Sequence, residues 1–88
     1  MGETDNKIPE KYLNKINELN LEKVSPREYE DKGDYVIITI DGELNGSCDW
    51  RLYLPQITKI VQEFNAWVID LIMTASDDVW TLRIGIDK

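Results

Sequence analysis

Residues Ala66–Ile86, AWVIDLIMTASDDVWTLRIGI, decide the fold. Read as two strands joined by Ala75-Ser76-Asp77-Asp78, the stretch sets Met73 opposite Trp80, Leu71 opposite Leu82, Ile69 opposite Ile84 and Trp67 opposite Ile86. Side chains alternate along a strand, so all eight fall on one side of the ribbon. The other side pairs Thr74 with Val79, Ile72 with Thr81, Val68 with Gly85 and Asp70 with Arg83, the last an opposite-charge pair across the ladder. A slip of one residue would scatter the apolar set over both faces, so the agreement identifies a hairpin.

Working back from the hairpin, Ile57, Ile60, Val61 and Phe64 follow Pro55 at helical spacing. Val68, Leu71 and Ile72 continue that spacing, so a single helix from Pro55 to Ala75 is a rival reading. A break near Asn65 is preferred. Asn tolerates a left-handed cap, and the residues beyond it are rich in Trp, Val, Ile and Thr.

Further back, Val36, Ile38, Ile40 and Leu44 alternate, as do Cys48, Trp50, Leu52 and Leu54 after Asn45-Gly46. A three-residue loop, Asn45 to Ser47, brings both sets to one face. That register sets Trp50 across from Gly42 and Asp41 across from Arg51, with Cys48 facing inward. Residues 21–34 read as a charged connector, with one helical turn at Ser25-Pro26-Arg27-Glu28 stopped by Gly33. Before it, Pro9 suits the first position of a helix whose stripe is Ile8, Leu13, Ile16 and Leu19. Residues 1–7 are polar and expected to fray.

The expected architecture is α+β in the order α-β-β-α-β-β, a four-stranded, mainly antiparallel sheet with helices packed on one face. The chain is one domain: residues 1–34 form a tail, amphipathic helix and connector, and residues 35–88 two hairpins flanking a helix. No internal repeat is visible. If the hairpin face meets the helices, Val68, Ile72, Val79, Tyr35, Ile37 and Tyr53 form a second apolar face. Either the first helix or another chain would cover it.

The 88 residues carry 17 acids and 10 bases, a net charge of −7. Beyond Asp34 only Arg51, Lys59, Arg83 and Lys88 are basic, against eight acids. Such a field repels phosphate backbones and anionic lipid heads and favours basic partners. Lys7, Lys11 and Lys15 form a basic strip, ordinarily a solvated face. The one cysteine excludes an intrachain disulfide. No secretion signal or membrane-length apolar run occurs, and Met1-Gly2 lacks the hydroxyl residue of a myristoylation signal, so the expected location is cytoplasmic.

Histidine is absent, which removes imidazole bases and metal ligands, and a lone cysteine excludes Cys-rich zinc sites. There is no phosphate-binding glycine loop. Asp77-Asp78 and Glu30-Asp31 are adjacent acids of the kind that turns use. Asp41, Glu43, Asn45, Gly46 and Asp49 occupy five positions of a calcium-loop template, but Leu52 stands where the bidentate Glu belongs. No cofactor is expected, and calcium is the weaker reading of that loop.

Val36 to Asn45, VIITIDGELN, resembles the first strands of STAS regulatory domains, but the chain beyond Gly33 is too short for that family. In size, acidity and mixed α/β content the chain resembles small inhibitors of the immunity-protein and phage-encoded kinds. No motif assigns a family. The expected function is a non-enzymatic, acidic protein-binding module of a bacterium or phage that occludes a basic surface of a partner protein. Tyr35 and Tyr53 would anchor the contact, and Asp41, Glu43, Asp77 and Asp78 would steer it. The alternative is a homo-oligomer, a homodimer in the simplest case, formed through the second sheet face or an edge strand.

Overall fold

A computed structural model describes residues 8–88. The expected frayed tail and Met1-Gly2 therefore lie outside the described residues. The elements are α1 (Glu10–Leu19), β1 (Val24–Asp31), β2 (Tyr35–Glu43), α2 (Leu54–Phe64), β3 (Trp67–Thr74) and β4 (Val79–Asp87). Short 3-10 turns occupy Trp50–Leu52 and Ala75–Asp77. The sheet order is β1-β2-β4-β3, with every neighbouring pair antiparallel. The architecture is the expected α-β-β-α-β-β, with both helices on one face. Among the described residues no helix is long and apolar enough to cross a membrane.

Both helices end as their sequences dictate. Asn20 and Asn65 take the left-handed conformation (φ 52° and 50°), which turns the chain into an edge strand. Asn65 thus breaks the apolar periodicity at the expected point, and residues 67–74 form a strand instead of prolonging α2. Pro9 stands one position earlier than expected, at the N-cap of α1. Ile8, Tyr12 and Ile16 are the buried residues of the first helical segment, and Leu13 and Leu19 pack at the margin.

The C-terminal hairpin has the expected register from Thr74–Val79 to Asp70–Arg83. A bulge between Val68 and Asp70 then shifts it, so Trp67 pairs with Gly85 and Val68 with Ile84. The extra residue carries Trp67 to the outer face, where its ring covers the bare backbone of Gly85.

The first hairpin differs from expectation. The partner of β2 is β1, formed by the supposed connector, and not Cys48–Leu54. A division at residue 35 would cut this hairpin in two. Val24, Pro26 and Tyr29 supply its inward side, with Arg27 bulged between Pro26 and Glu28. Proline is tolerated because β1 is an edge strand. Asp31 accepts a hydrogen bond from the Gly33 amide at 2.8 Å, Gly33 adopts φ 98°, and the Lys32 amide donates to the Tyr35 carbonyl, so Lys32-Gly33-Asp34-Tyr35 is a hairpin turn. The aromatic that covers Gly42 is Trp80, not Trp50.

The Asp31 carboxylate also binds Lys88 Nζ at 2.7 Å. Lys88, and secondarily the Gly33 amide, hold its pKa below the ordinary value. A depressed carboxyl pKa stabilises the fold above the unfolded value of about 3.9, and the contribution is lost as pH falls through the folded pKa. Asp31→Asn keeps an acceptor for Gly33 but removes the charge. It is expected to lower the thermal midpoint at pH 7, with the difference from wild type vanishing in strong acid. A pH series of melting curves checks this.

No sequence repeat is visible, yet the structure is a repeat of α-β-β. In the central ladder Val36–Ile86 corresponds to Trp80–Gly42, Ile38–Ile84 to Leu82–Ile40, and Thr39–Arg83 to itself. An approximate two-fold axis therefore passes through the Thr39–Arg83 pair. The edge strands obey it too: Pro26 corresponds to Val68, Glu28 to Asp70, and the bulged Arg27 to the bulged Ile69. Both halves share geometry without sharing side chains.

The core lies between the helices and one sheet face. Val36, Ile38, Ile40, Trp80, Leu82, Ile84 and Ile86 meet Ile57, Ile60 and Phe64 of α2 and the first helical segment. The helix α1 therefore does not cover the second face. That face closes largely on itself. Ile37 and Thr39 are buried there, Tyr35 stacks on Trp67 at 5.5 Å, and Arg83–Asp70 and Arg27–Asp41 pair at 2.7 Å. The apolar surface left open on this face lies at Trp67 and Ile72 of β3, whereas the bulge carries Val68 to the helix side opposite Ile84, where it stays exposed at the sheet margin.

Candidate functional site

The second concentration of exposed apolar surface lies between β2 and α2. Leu44 is buried, and its amide donates to the Asp78 carbonyl at 3.0 Å. Asn45 and Gly46 follow with φ 52° and 80°, a pair of left-handed residues that reverses the chain. The Gly46 amide donates to Asp78 Oδ1 at 2.8 Å, so the β3–β4 turn braces this loop. Asp78 is itself left-handed (φ 58°), a conformation that Asp tolerates better than most residues.

Tyr53 fixes the other end of the loop. Its ring is in the core, and its hydroxyl lies against the carbonyl oxygens of Leu44 and Ser47, the latter at 2.6 Å. Burial, then the nearby Asp78 carboxylate, raises the pKa of the phenol. Asp49 opens the 3-10 turn by accepting from the Arg51 amide at 3.0 Å and pairs with the Arg51 guanidinium at 2.7 Å. The Arg51 side chain, then its amide, holds the Asp49 pKa low.

With Tyr53 drawn inward, its alternates turn outward. Trp50, Leu52 and Leu54 are 39%, 59% and 46% exposed, and Cys48 is exposed as well. The sequence pattern predicts the reverse: Cys48, Trp50, Leu52 and Leu54 inside and Tyr53 outside. The alternation does not survive folding: Trp50, Arg51 and Leu52 are exposed in succession, because the segment is a 3-10 turn running into a helix and not a strand.

Acids stand beside the apolar segment. Glu22 and Glu43 line a groove of about 360 Å³ together with Leu52 and Tyr53, and Lys23 bridges to Glu43 at 3.5 Å. Asp49, Asp77 and Asp78 stand on the adjoining turns. Against these acids only Lys23 and Arg51 are basic on the same loops, and both are engaged by carboxylates.

The expected site residues do not form one site. Glu43, Asp77 and Asp78 lie at this loop end. Asp41 is on the outer sheet face, bound by Arg27 and by the Thr81 hydroxyl at 2.8 Å. Tyr35 lies at the far end of β2, and Tyr53 is in the core. The calcium-loop residues disperse likewise: Asp41 and Asp49 are paired to arginines, and Asn45 is a turn residue. Among the described residues no three acidic or cysteine side chains converge as a metal site. Of the basic strip, Lys7 lies outside the described residues, and Lys15 lies over Phe64 and near Glu63. Trp50, Leu52 and Leu54 were missed as surface residues. The Asp49–Arg51 pair and Pro55 close behind are the sequence signals for a capped turn entering a helix.

No protein-family model, curated protein or solved structure matches the chain.

Proposed function

We propose that this protein is a non-enzymatic protein-binding module whose contact surface is the Trp50–Leu54 segment, and that its partner presents a basic surface with an apolar centre. The reading rests on one observation: three large apolar side chains are exposed on a segment braced from within by Tyr53, with Glu22 and Glu43 lining the groove beside Leu52. A tryptophan anchor among apolar neighbours, with a polar rim, is the usual make-up of a contact surface. A chain of net charge −7 accelerates encounter with a basic partner and repels nucleic acid. Occlusion of a basic catalytic or nucleic-acid-binding surface, as an inhibitor does, is the role this chemistry serves best.

Affinity capture from the source cells, washed at low and moderate salt, tests the reading when variants run beside the wild type. A basic protein retained by wild type, released as salt rises, and lost with Trp50→Ser and Leu52→Ser is the expected result. Charge reversal at Glu22, Glu43 and Asp77, which leaves the Asp78 brace in place, is expected to weaken capture at least tenfold at low salt and to flatten its salt dependence. Capture that survives Trp50→Ser with Leu52→Ser overturns the assignment of the surface.

A further inference from the structure

We infer that the β3 edge is a self-association surface, on which a second copy of this chain pairs antiparallel to extend the sheet across a two-fold axis. The argument comes from the repeat within the fold. The strands β1 and β3 are equivalent edges with the same bulge, yet their chemistry is opposite. Where β1 carries Pro26, Arg27 and Glu30, β3 carries Val68, Ile69 and Ile72. Proline withholds a backbone donor and charges discourage strand addition, so β1 is a guarded edge. The same backbone geometry is built without those guards at β3, so the fold does not require the difference.

Charge selects a second copy as the occupant. Two chains of −7 repel, and they approach at least cost where each is locally neutral. The only charge on β3 is Asp70, and Arg83 neutralises it at 2.7 Å. Eight residues at about 3.3 Å each give a strip of about 26 Å, which at about 10 Å sheet thickness buries roughly 500 Å² between two copies. The exposed Trp67, Val68 and Ile72 lie within that strip, which stays below the roughly 1,000 Å² at which stable specific interfaces begin. The dimer is therefore weak and reversible, and like edges meeting about a two-fold axis close the assembly at two.

Salt separates this inference from the proposed function. Binding to a basic partner weakens as salt rises, whereas pairing of two acidic copies strengthens, because screening relieves their repulsion. Sedimentation of the full chain from 10 µM to 1 mM, at low and high salt, reads the difference. The expected result is a monomer–dimer equilibrium favoured by salt. Ile72→Lys, on an exposed edge position, is expected to weaken it at least tenfold, Val68→Lys similarly, and Thr58→Lys on the outside of α2 not at all. Amide exchange within β3 is expected to slow with concentration in wild type alone. A monomer at every concentration and both salts overturns the inference and leaves the edge to a strand of another protein. A dimer indifferent to both edge lysines overturns it in favour of another surface.

Discussion

Gly42→Ala is expected to destabilise the protein by about 3 kcal/mol or more, the upper range for forcing extra atoms into a packed core. A Cβ at position 42 would lie 2.1 Å from Cε2 of Trp80, and the Trp80 ring is fully buried between sheet and helices. Neither group can yield without displacing others. The loss is large against the roughly 5–15 kcal/mol that holds a small domain together. Gly85→Ala poses the same steric problem, with Trp67 Cε2 at 2.3 Å. That ring is 41% exposed, however, and can swing into solvent. The cost there is expected to be about 1 kcal/mol, set mainly by the lost stacking on Tyr35. Urea denaturation of the two variants measures the contrast. In a Trp80→Leu background, Gly42→Ala is expected to cost little, because the obstructing ring is gone. Equal losses at Gly42 and Gly85 would show that strand conformation, and not the covering indole, decides the effect.

The two glycines also show which parts of the fold were legible in the sequence. An aromatic over a strand glycine is a recognisable device, and the pattern already implied that Gly42 is covered. It named Trp50 because Cys48–Leu54 alternates as a strand would. The true partner, Trp80, is remote in sequence and becomes its neighbour only once β2 and β4 share the centre of the sheet. Short-range reasoning favours adjacent segments as partners, and here the adjacent apolar segment was a loop. The strand β1 was hidden for the converse reason. Its Pro26, Arg27, Glu28, Glu30 and Asp31 guard an edge, and guarding residues are those that weaken a strand signal. The C-terminal hairpin was readable over Asp70–Thr74 because both its faces are patterned. Its error began at the bulge, since one extra residue leaves no mark in a period-two pattern.

The candidate site was less legible than the fold. Acidity is a property of composition and was apparent at once, but which acids share a surface depends on which loops meet. Asp78 joins Glu43 because Val79 pairs with Glu43 and the Gly46 amide points at Asp78. Asp41 faces outward because Ile40 and Gly42 on either side of it face the core, and there Arg27 of β1 binds it. The apolar anchors alternate in the sequence as a strand would, but a 3-10 turn exposes Trp50, Arg51 and Leu52 together, so a period-two pattern has no meaning there. The Tyr53 hydroxyl fastens that turn to the Leu44 and Ser47 carbonyls, a bond that no local pattern announces.

Tyr53→Phe is therefore expected to act on stability and function together. The hydroxyl serves the carbonyl oxygens of Leu44 and Ser47 in a place water does not reach freely. Leu44 keeps a second donor, the Ser47 amide at 3.0 Å, so the Ser47 carbonyl loses more. The Ser47 carbonyl is only partly buried, so the loss is that of an ordinary hydrogen bond, about 1 kcal/mol in chemical denaturation. The phenyl ring still fills the core, so the fold survives. What loosens is the path from Ser47 to Leu52, whose inward fastening is this hydroxyl and whose outward face carries Trp50 and Leu52. Amide exchange is expected to accelerate there first, while β2 and β4 remain protected. A contact surface held rigid before binding spends less on ordering, so partner affinity is expected to fall about tenfold although Tyr53 itself is buried. Unchanged exchange in the loop, with affinity also unchanged, would mean that the hydroxyl neither braces the segment nor presents its anchors. Faster exchange with full affinity would place the contact surface elsewhere on the protein.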